Sequence, residues 1–232
     1  MRVAVVVFPG TNCEYDALHA LSAVGAEAEL AWHRETDLSG ADGVVLPGGF
    51  AHGDYLRTGA IARFSPVMAE VERLADDGAP VLGICNGFQI LCEAGLLPGV
   101  LLQNRGLRFI CRPVDVRVES TGSILTRAAT VGQTLRIPLN SYEGNYTAPA
   151  AEFSAIEAKH QVVLRYSDRA GVVDGSTNPN GSMGNAAGVA NESGNVAGLM
   201  PHPERASERI LGSRDGLVVF ESFVASAIPA HV

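Results

Sequence analysis

Residues 81–91 read Val-Leu-Gly-Ile-Cys-Asn-Gly-Phe-Gln-Ile-Leu, an apolar strand running directly into Gly-x-Cys-x-Gly and then into a helix. Such a junction is a nucleophile elbow: the tip residue sits on a sharp strand-to-helix turn, and glycines two positions to either side give it room. Gly83 and Gly87 hold those positions. The turn lifts the Cys85 sulfur above the sheet edge, towards the start of the next helix, whose partial positive charge favours thiolate, the attacking species. A lone cysteine at the end of an apolar strand usually packs in the core. The two glycines argue against that here, because a packing cysteine needs no Cβ-free neighbours.

Working outward, residues 2–8 and 42–47 are continuous apolar runs, as expected of parallel strands covered on both faces. Between them 14–24 has helical spacing and 27–32 reads as another strand, while 60–77 is expected to be a helix leading into the strand 79–84. From about 98 to 195 the pattern turns to short β-like stretches and Gly/Asn/Pro turns, read as an antiparallel extension of the same sheet. A final helix is expected over 214–227. The reading is an α/β chain with a doubly wound, mostly parallel sheet, and residues 1–232 form one domain.

Near the C-terminus Val196-Ala197-Gly198-Leu199-Met200 reads as a buried strand that ends in Pro201-His202-Pro203-Glu204. Each proline fixes its own φ and biases the residue before it away from helix, so His202 is held in extended backbone. Glu204, two residues on, falls on the same side of an extended chain and is placed to bond the ring. A carboxylate there fixes the imidazole tautomer and stabilises the imidazolium. Cys85, His202 and Glu204 thus fill the roles of nucleophile, base and orienter.

Open α/β sheets bind ligands at the carboxyl ends of their strands, which brings Pro9-Gly10-Thr11-Asn12-Cys13 and Pro47-Gly48-Gly49-Phe50 to the edge carrying the elbow. Gly48 and Gly49 are candidates for exposing backbone N–H groups to an oxyanion, with the N–H of Asn86 as the second donor. Cys13 is a rival nucleophile, but Asn12 and Glu14 beside it supply no base. The other histidines are weaker candidates: His19 lies inside a helix, His33 and His52 in loops, His160 beside Lys159, and His231 in the tail.

The chain has 232 residues and a net charge of −8, with no basic run and 6% aromatics, which speaks against nucleic acid and anionic membrane as partners. No basic-then-apolar leader opens the sequence and no apolar run is long enough for a bilayer, so a cytoplasmic location is expected. The four cysteines, Cys13, Cys85, Cys92 and Cys111, read as thiols rather than a disulfide frame, and none has zinc-site spacing, so no metal is expected. The Asn-x-Ser/Thr matches at Asn145, Asn180 and Asn191 are chance in that setting.

The segments PGGF, GICNGFQIL and PHPER, in that order and at these separations, resemble the class I (triad) glutamine amidotransferases. VVFPGTNCEYD, PGGFAHGDYLRTGAIARFSP, GLLPG, FICRPV and LMPHPER extend the likeness nearly end to end, to the glutaminase subunits that serve purine biosynthesis. The resemblance implies a flavodoxin-like fold and hydrolysis of glutamine to glutamate and ammonia. It assigns Cys85 as nucleophile, His202 as base, Glu204 as orienter, Gly49 and Asn86 to the oxyanion, and Gln89 to the bound glutamine. It implies no cofactor in this chain. The chain has no Walker A loop, so ATP and Mg are expected on a large synthetase subunit that makes formylglycinamidine ribonucleotide, with a small accessory subunit alongside. One stretch departs from the family: where His-Gly-Glu-Gly-Asn is usual after Ile-Pro, Ser141 and Tyr142 stand in place of the His and Gly, ahead of Glu143-Gly144-Asn145. This loop is expected to recognise the glutamine backbone.

Two other classes remain as alternatives: a stand-alone Cys-elbow hydrolase or deglycase, and a non-enzymatic interaction module. The loops 48–59 and 140–147 are Gly-bearing and polar and are expected to overhang Cys85. Ordering of these loops by a partner would make the isolated chain a slow glutaminase.

Overall fold

The computed structural model describes residues 1–227; His231 lies outside them. The chain forms β1 (Arg2–Val7), α1 (Glu14–Ala23), β2 (Glu27–Trp32), β3 (Gly43–Leu46), α2 (Val67–Asp76), β4 (Val81–Ile84) and α3 (Asn86–Glu93). It continues through β5 (Val100–Leu102), β6 (Ile110–Val118), β7 (Thr134–Ser141), β8 (Asn145–Thr147), α4 (Ala150–Ala158) and β9 (Val162–Ser167). It closes with β10 (Ala186–Ala190), β11 (Val196–Leu199) and α5 (Leu217–Val224).

Nine strands make one sheet in the order β2-β1-β3-β4-β11-β10-β9-β6-β7. From β2 to β11 the pairing is parallel. From β11 to β7 it is antiparallel, which is the extension expected from 98–195. The burial strings follow from this: β3, β4 and β11 are buried at every residue, whereas β7 alternates half-buried and buried as one face meets the core. β11 is added between β4 and β10 after a long excursion, and the Cys85 N–H donates to the Leu199 carbonyl at 2.8 Å.

The structure departs from the sequence reading in three places. The helix expected over 60–77 is broken: Ala62–Phe64 is a 3-10 turn, Ser65 is extended (φ −66°, ψ 142°), and α2 starts at Val67. Pro66 is the cause, since its ring disfavours helical backbone in the residue before it. Once past it, α2 buries Val67, Met68, Val71 and Leu74 at helical spacing, each contributing about 1.5–3 kcal/mol. The 98–195 region also holds the helix α4 and a separate two-stranded sheet, β5 with β8. An Ala-rich stretch without an apolar stripe gives α4 no periodic signal. The last helix is shorter than 214–227, beginning after Gly216, where a Cβ would lie 2.0 Å from the Pro203 carbonyl oxygen.

The elbow is built as its sequence requires. Cys85 has φ +50° and ψ −102°, a conformation that L-residues rarely occupy and that persists only where the surroundings impose it. A Cβ on Gly83 would come within 2.7 Å of the Gly87 carbonyl carbon, and one on Gly87 within 1.8 Å of the Leu46 carbonyl oxygen. Gly198 on β11 likewise admits the Phe88 ring of α3. Gly87→Ala should therefore destabilise the chain by at least the ~1–3 kcal/mol of an overpacked core. A urea midpoint equal to that of the unmodified chain would show that the helix can back away from β3.

Candidate active site

β1, β3, β4 and β11 lie side by side and point the same way, so the loops that follow them share one edge of the sheet. A cavity of about 450 Å³ opens there. Cys85, His202, Gly49 and Gln89, all singled out by sequence, line it together with Asp54, Thr58, Ser141, Glu143, Cys13 and Arg205. Cys85 is buried, and its Sγ lies 3.6 Å from the Asn140 carbonyl oxygen.

His202 arrives from β11, the strand paired with the one that ends in the elbow. Its backbone is extended (φ −98°, ψ 91°), and its N–H donates to the Pro138 carbonyl on β7 at 2.7 Å. Its Nδ1 lies 2.5 Å from Glu204 Oε1. The route differs from the one expected, because Pro203–Ala206 is a 3-10 turn, and it is this turn rather than an extended chain that brings the carboxylate back to the ring. Both side chains are buried, and His202 Nε2 and Glu204 Oε2 have no partner among the described residues. Burial alone would push the imidazole pKa down. The Glu204 carboxylate, helped by the Cys85 and Cys13 sulfurs, outweighs burial and holds it well above the usual histidine range.

Gly48 and Gly49 do different work. A Cβ on Gly48 would lie 2.7 Å from His202 Cε1, so this glycine makes room for the imidazole. The Gly48 carbonyl accepts from the N–H groups of Asn12 and Cys13, at 3.3 and 3.2 Å. Across a trans peptide the next N–H points the opposite way, so the Gly49 N–H is turned away from that loop. Gly49 has φ +153°, with Thr11 Cα 2.7 Å from the place of a Cβ. Asn86 supplies the first N–H of α3, which has no helical carbonyl before it. Its side chain lies under the 48–59 loop, accepting from Ala51 N–H at 2.9 Å and donating to Gln89 Oε1 at 2.9 Å and Asp54 Oδ1 at 3.3 Å. Gln89 in turn donates to the Glu143 carbonyl at 2.5 Å, so the first turn of α3 fastens both overhanging loops.

Sequence reasoning gave Cys13 no base, but the fold supplies neighbours from elsewhere. Arg205 Nη2 donates to its Sγ at 3.1 Å, and His202 Nδ1 lies 4.0 Å away, although that nitrogen is engaged by Glu204. Ligand atoms of Cys13, His202 and Glu204 lie within 4.8 Å of one another, and the Arg205 guanidinium on the sulfur opposes a cation there. All four cysteines are free thiols, Cys111 being the exposed one. His33 and His52 share Ser65 at 3.1 and 3.5 Å in a separate cavity, and His19 pairs with Glu208 at 3.0 Å.

The sequence reading placed Asp54 in an overhanging loop and did not anticipate its neighbour. Burial and the facing Glu143 push its carboxyl up to about 6 from 3.8. A carboxyl raised on folding disfavours the folded state. That penalty is absent below the unfolded value, grows through the interval and is complete above about 6. Asp54 is half-buried, so solvent screening reduces the cost to about 1 kcal/mol. Asp54→Asn should raise the Tm of the isolated chain by about 2–4 °C at pH 8, and by less as the pH falls below 6. A Tm gain independent of pH would remove the electrostatic cause.

Among the described residues no helix is long and apolar enough to cross a membrane. Residues 1–214 match the family described as CobB/CobQ-like glutamine amidotransferase domain. The phosphoribosylformylglycinamidine synthase subunit PurQ of Rubrobacter xylanophilus is 56% identical over 227 residues, covering 98% of this chain and 99% of the relative. Its namesake in Salinibacter ruber is 54% identical over 224 residues, covering 96% and 95%. Among solved structures, that of PurLQS from Thermotoga maritima superposes with a TM-score of 0.86 at 44% identity, covering 97% of each chain.

Proposed function

Because the chain belongs to the CobB/CobQ-like glutamine amidotransferases and, within them, to the PurQ family, we propose the following chemistry for its site. The chain is the glutaminase subunit of a phosphoribosylformylglycinamidine synthase, and it generates the ammonia used in that step of purine biosynthesis. Cys85 thiolate attacks the carboxamide carbon of glutamine, and the N–H groups of Gly49 and Asn86 hold the oxyanion. The C–N bond breaks as His202 gives its proton to the leaving ammonia. Water then attacks the thioester, giving up its proton to His202, and glutamate leaves with the Cys85 thiol restored. Glu204 keeps the imidazole oriented throughout and stabilises its charged form whenever it carries the proton. The observation that supports this most is the strained Cys85 elbow in one cavity with a His202 that has a carboxylate at 2.5 Å.

The partner is a synthetase subunit, in keeping with the PurLQS likeness. ATP and Mg are held on that partner, a small accessory subunit joins the assembly, and the free thiols suit a reducing cytoplasm. Glutamate release from glutamine, followed with the chain alone and with saturating synthetase subunit, nucleotide and ribonucleotide, tests the reading. Slow release alone and fast release in the complex are expected. Full turnover by the lone chain would favour an independent hydrolase.

A further inference from the structure

A second cavity, of about 440 Å³, is distinct from the one over Cys85 and falls within the size range of small-molecule pockets. His33 and Arg34, which follow the end of β2, line it together with His52 and Ser65. His33 is 8% exposed, and its ring stands edge-on to that of His52 with 5.3 Å between centroids. Ser65 Oγ lies 3.1 Å from His33 Nδ1 and 3.5 Å from His52 Nε2. A hydroxyl has one proton to give, so once both rings are protonated and donate to Ser65 Oγ, its proton is free for another acceptor. None of the residues lining this cavity is acidic. Burial, the facing His52 and the Arg34 guanidinium together hold the His33 imidazole below its ordinary range. The helix α2 begins at Val67, directly after the lining Ser65 and Pro66, and adds the positive end of its dipole. Glu70 in its first turn is engaged elsewhere, accepting from Leu38 N–H at 3.3 Å and from Arg73 at 3.0 Å, while Arg63 stacks over the Phe64 ring at 4.6 Å. Positive charge thus gathers at one place in a chain of net charge −8.

We infer that this cavity binds the phosphate group of a small organic phosphomonoester, with Arg34, His33 and His52 supplying the charge and Ser65 a further donor. A phosphomonoester carries close to two negative charges at neutral pH and presents acceptor oxygens, which complement a wall of donors. Ile61 and Phe64, the latter 76% exposed, give the cavity an apolar side that suits the organic part of the ester better than the bare ion. Binding takes up protons. The charges of the cluster repel one another and keep His33 neutral, and an anion among them reverses that balance, so affinity rises as the pH falls through the histidine range. The site is independent of the glutaminase chemistry and stands or falls without it.

The test titrates the full-length chain with sulfate, inorganic phosphate and adenosine 5′-monophosphate, with adenosine as the control, and follows the ring-proton resonances of the histidines. Sulfate stays dianionic, so any change of its affinity with pH comes from the protein. It should bind roughly 10-fold more tightly at pH 6 than at pH 8, as proton uptake requires. The resonances that move should be those missing from His33→Gln and His52→Gln. Arg34→Gln, at an exposed position, should weaken all three anions roughly 10- to 100-fold, as expected for the loss of a charge-assisted hydrogen bond, and Arg34→Lys should weaken them less. Adenosine 5′-monophosphate is expected to bind more tightly than inorganic phosphate, and equal affinities overturn the monoester. The site itself is overturned if no anion moves these resonances at millimolar concentration, if adenosine binds as well as its monophosphate, if the sulfate affinity is the same at both pH values, or if Arg34→Gln leaves the affinities unchanged. Should His33→Gln fold poorly, the Arg34 variants decide.

Discussion

Replacing Cys85 by alanine should abolish synthesis from glutamine in the reconstituted complex while synthesis from added ammonium salts persists. The expected loss of glutaminase turnover is ~10⁵-fold or more, the scale on which removal of a nucleophile acts in triad enzymes. The reasoning is local. Cys85 occupies a strained backbone position on the tip of the elbow, and no second sulfur stands in the same relation to His202. Cys13, the nearest alternative, sits on the Nδ1 side of the ring, where Glu204 already holds the nitrogen and Arg205 holds the sulfur. The variant keeps the φ of +50°, which alanine tolerates no better than cysteine, so the fold is not relieved or burdened by the change. Equal loss of the glutamine and ammonium activities would mean that Cys85 supports the docking surface or the fold, and the assignment of the nucleophile would fall.

His202→Ala should lower the glutaminase rate by roughly 10⁴- to 10⁶-fold, and Glu204→Gln by one or two orders less, because an orienter is worth less than the base it orients. The pH profiles should separate the two. Glu204 is what keeps the buried imidazole above its ordinary range. Without that charge, burial dominates and the pKa falls, so in Glu204→Gln the alkaline limb of kcat should move to lower pH as the proton needed by the leaving ammonia is lost earlier. The acidic limb belongs to the Cys85–His202 pair and not to either residue. An alkaline limb that stays in place in Glu204→Gln would count against electrostatic support of the imidazolium and leave Glu204 a packing role.

Much of this site was written in short stretches. The elbow was legible because a strained tip residue needs Cβ-free neighbours two positions away, and Gly83 and Gly87 show the spacing without any knowledge of what they touch; the structure adds that they touch each other's turn and Leu46. His202 was legible because prolines on both sides constrain its backbone through covalent geometry. The parallel strands could be read because a strand covered on both faces has no polar face to interrupt it, as in Gly43–Leu46 and Val81–Ile84. Pro66 is an equally local signal, since a proline biases the residue before it away from helix and so marks the break inside 60–77.

Other features depended on which strands became neighbours. No local rule places β11 against β4 after the excursion through β5 to β10, yet that pairing puts His202 beside Cys85. The same pairing brings Arg205 to Cys13, giving that thiol a setting its own neighbours in sequence do not hint at. Asp54 and Glu143 sit in loops whose polar, Gly-bearing composition says only that they are loops, and their facing carboxylates exist because two residues of α3 pin those loops over one cavity. The sequence alone established the chemistry within reach of one turn or one strand end, where covalent geometry and steric exclusion act between residues a few positions apart. Which charges meet across the cavity was settled by strand order and loop docking, since electrostatic and hydrogen-bond partners are chosen by distance in space, and that distance is set only when the sheet is assembled.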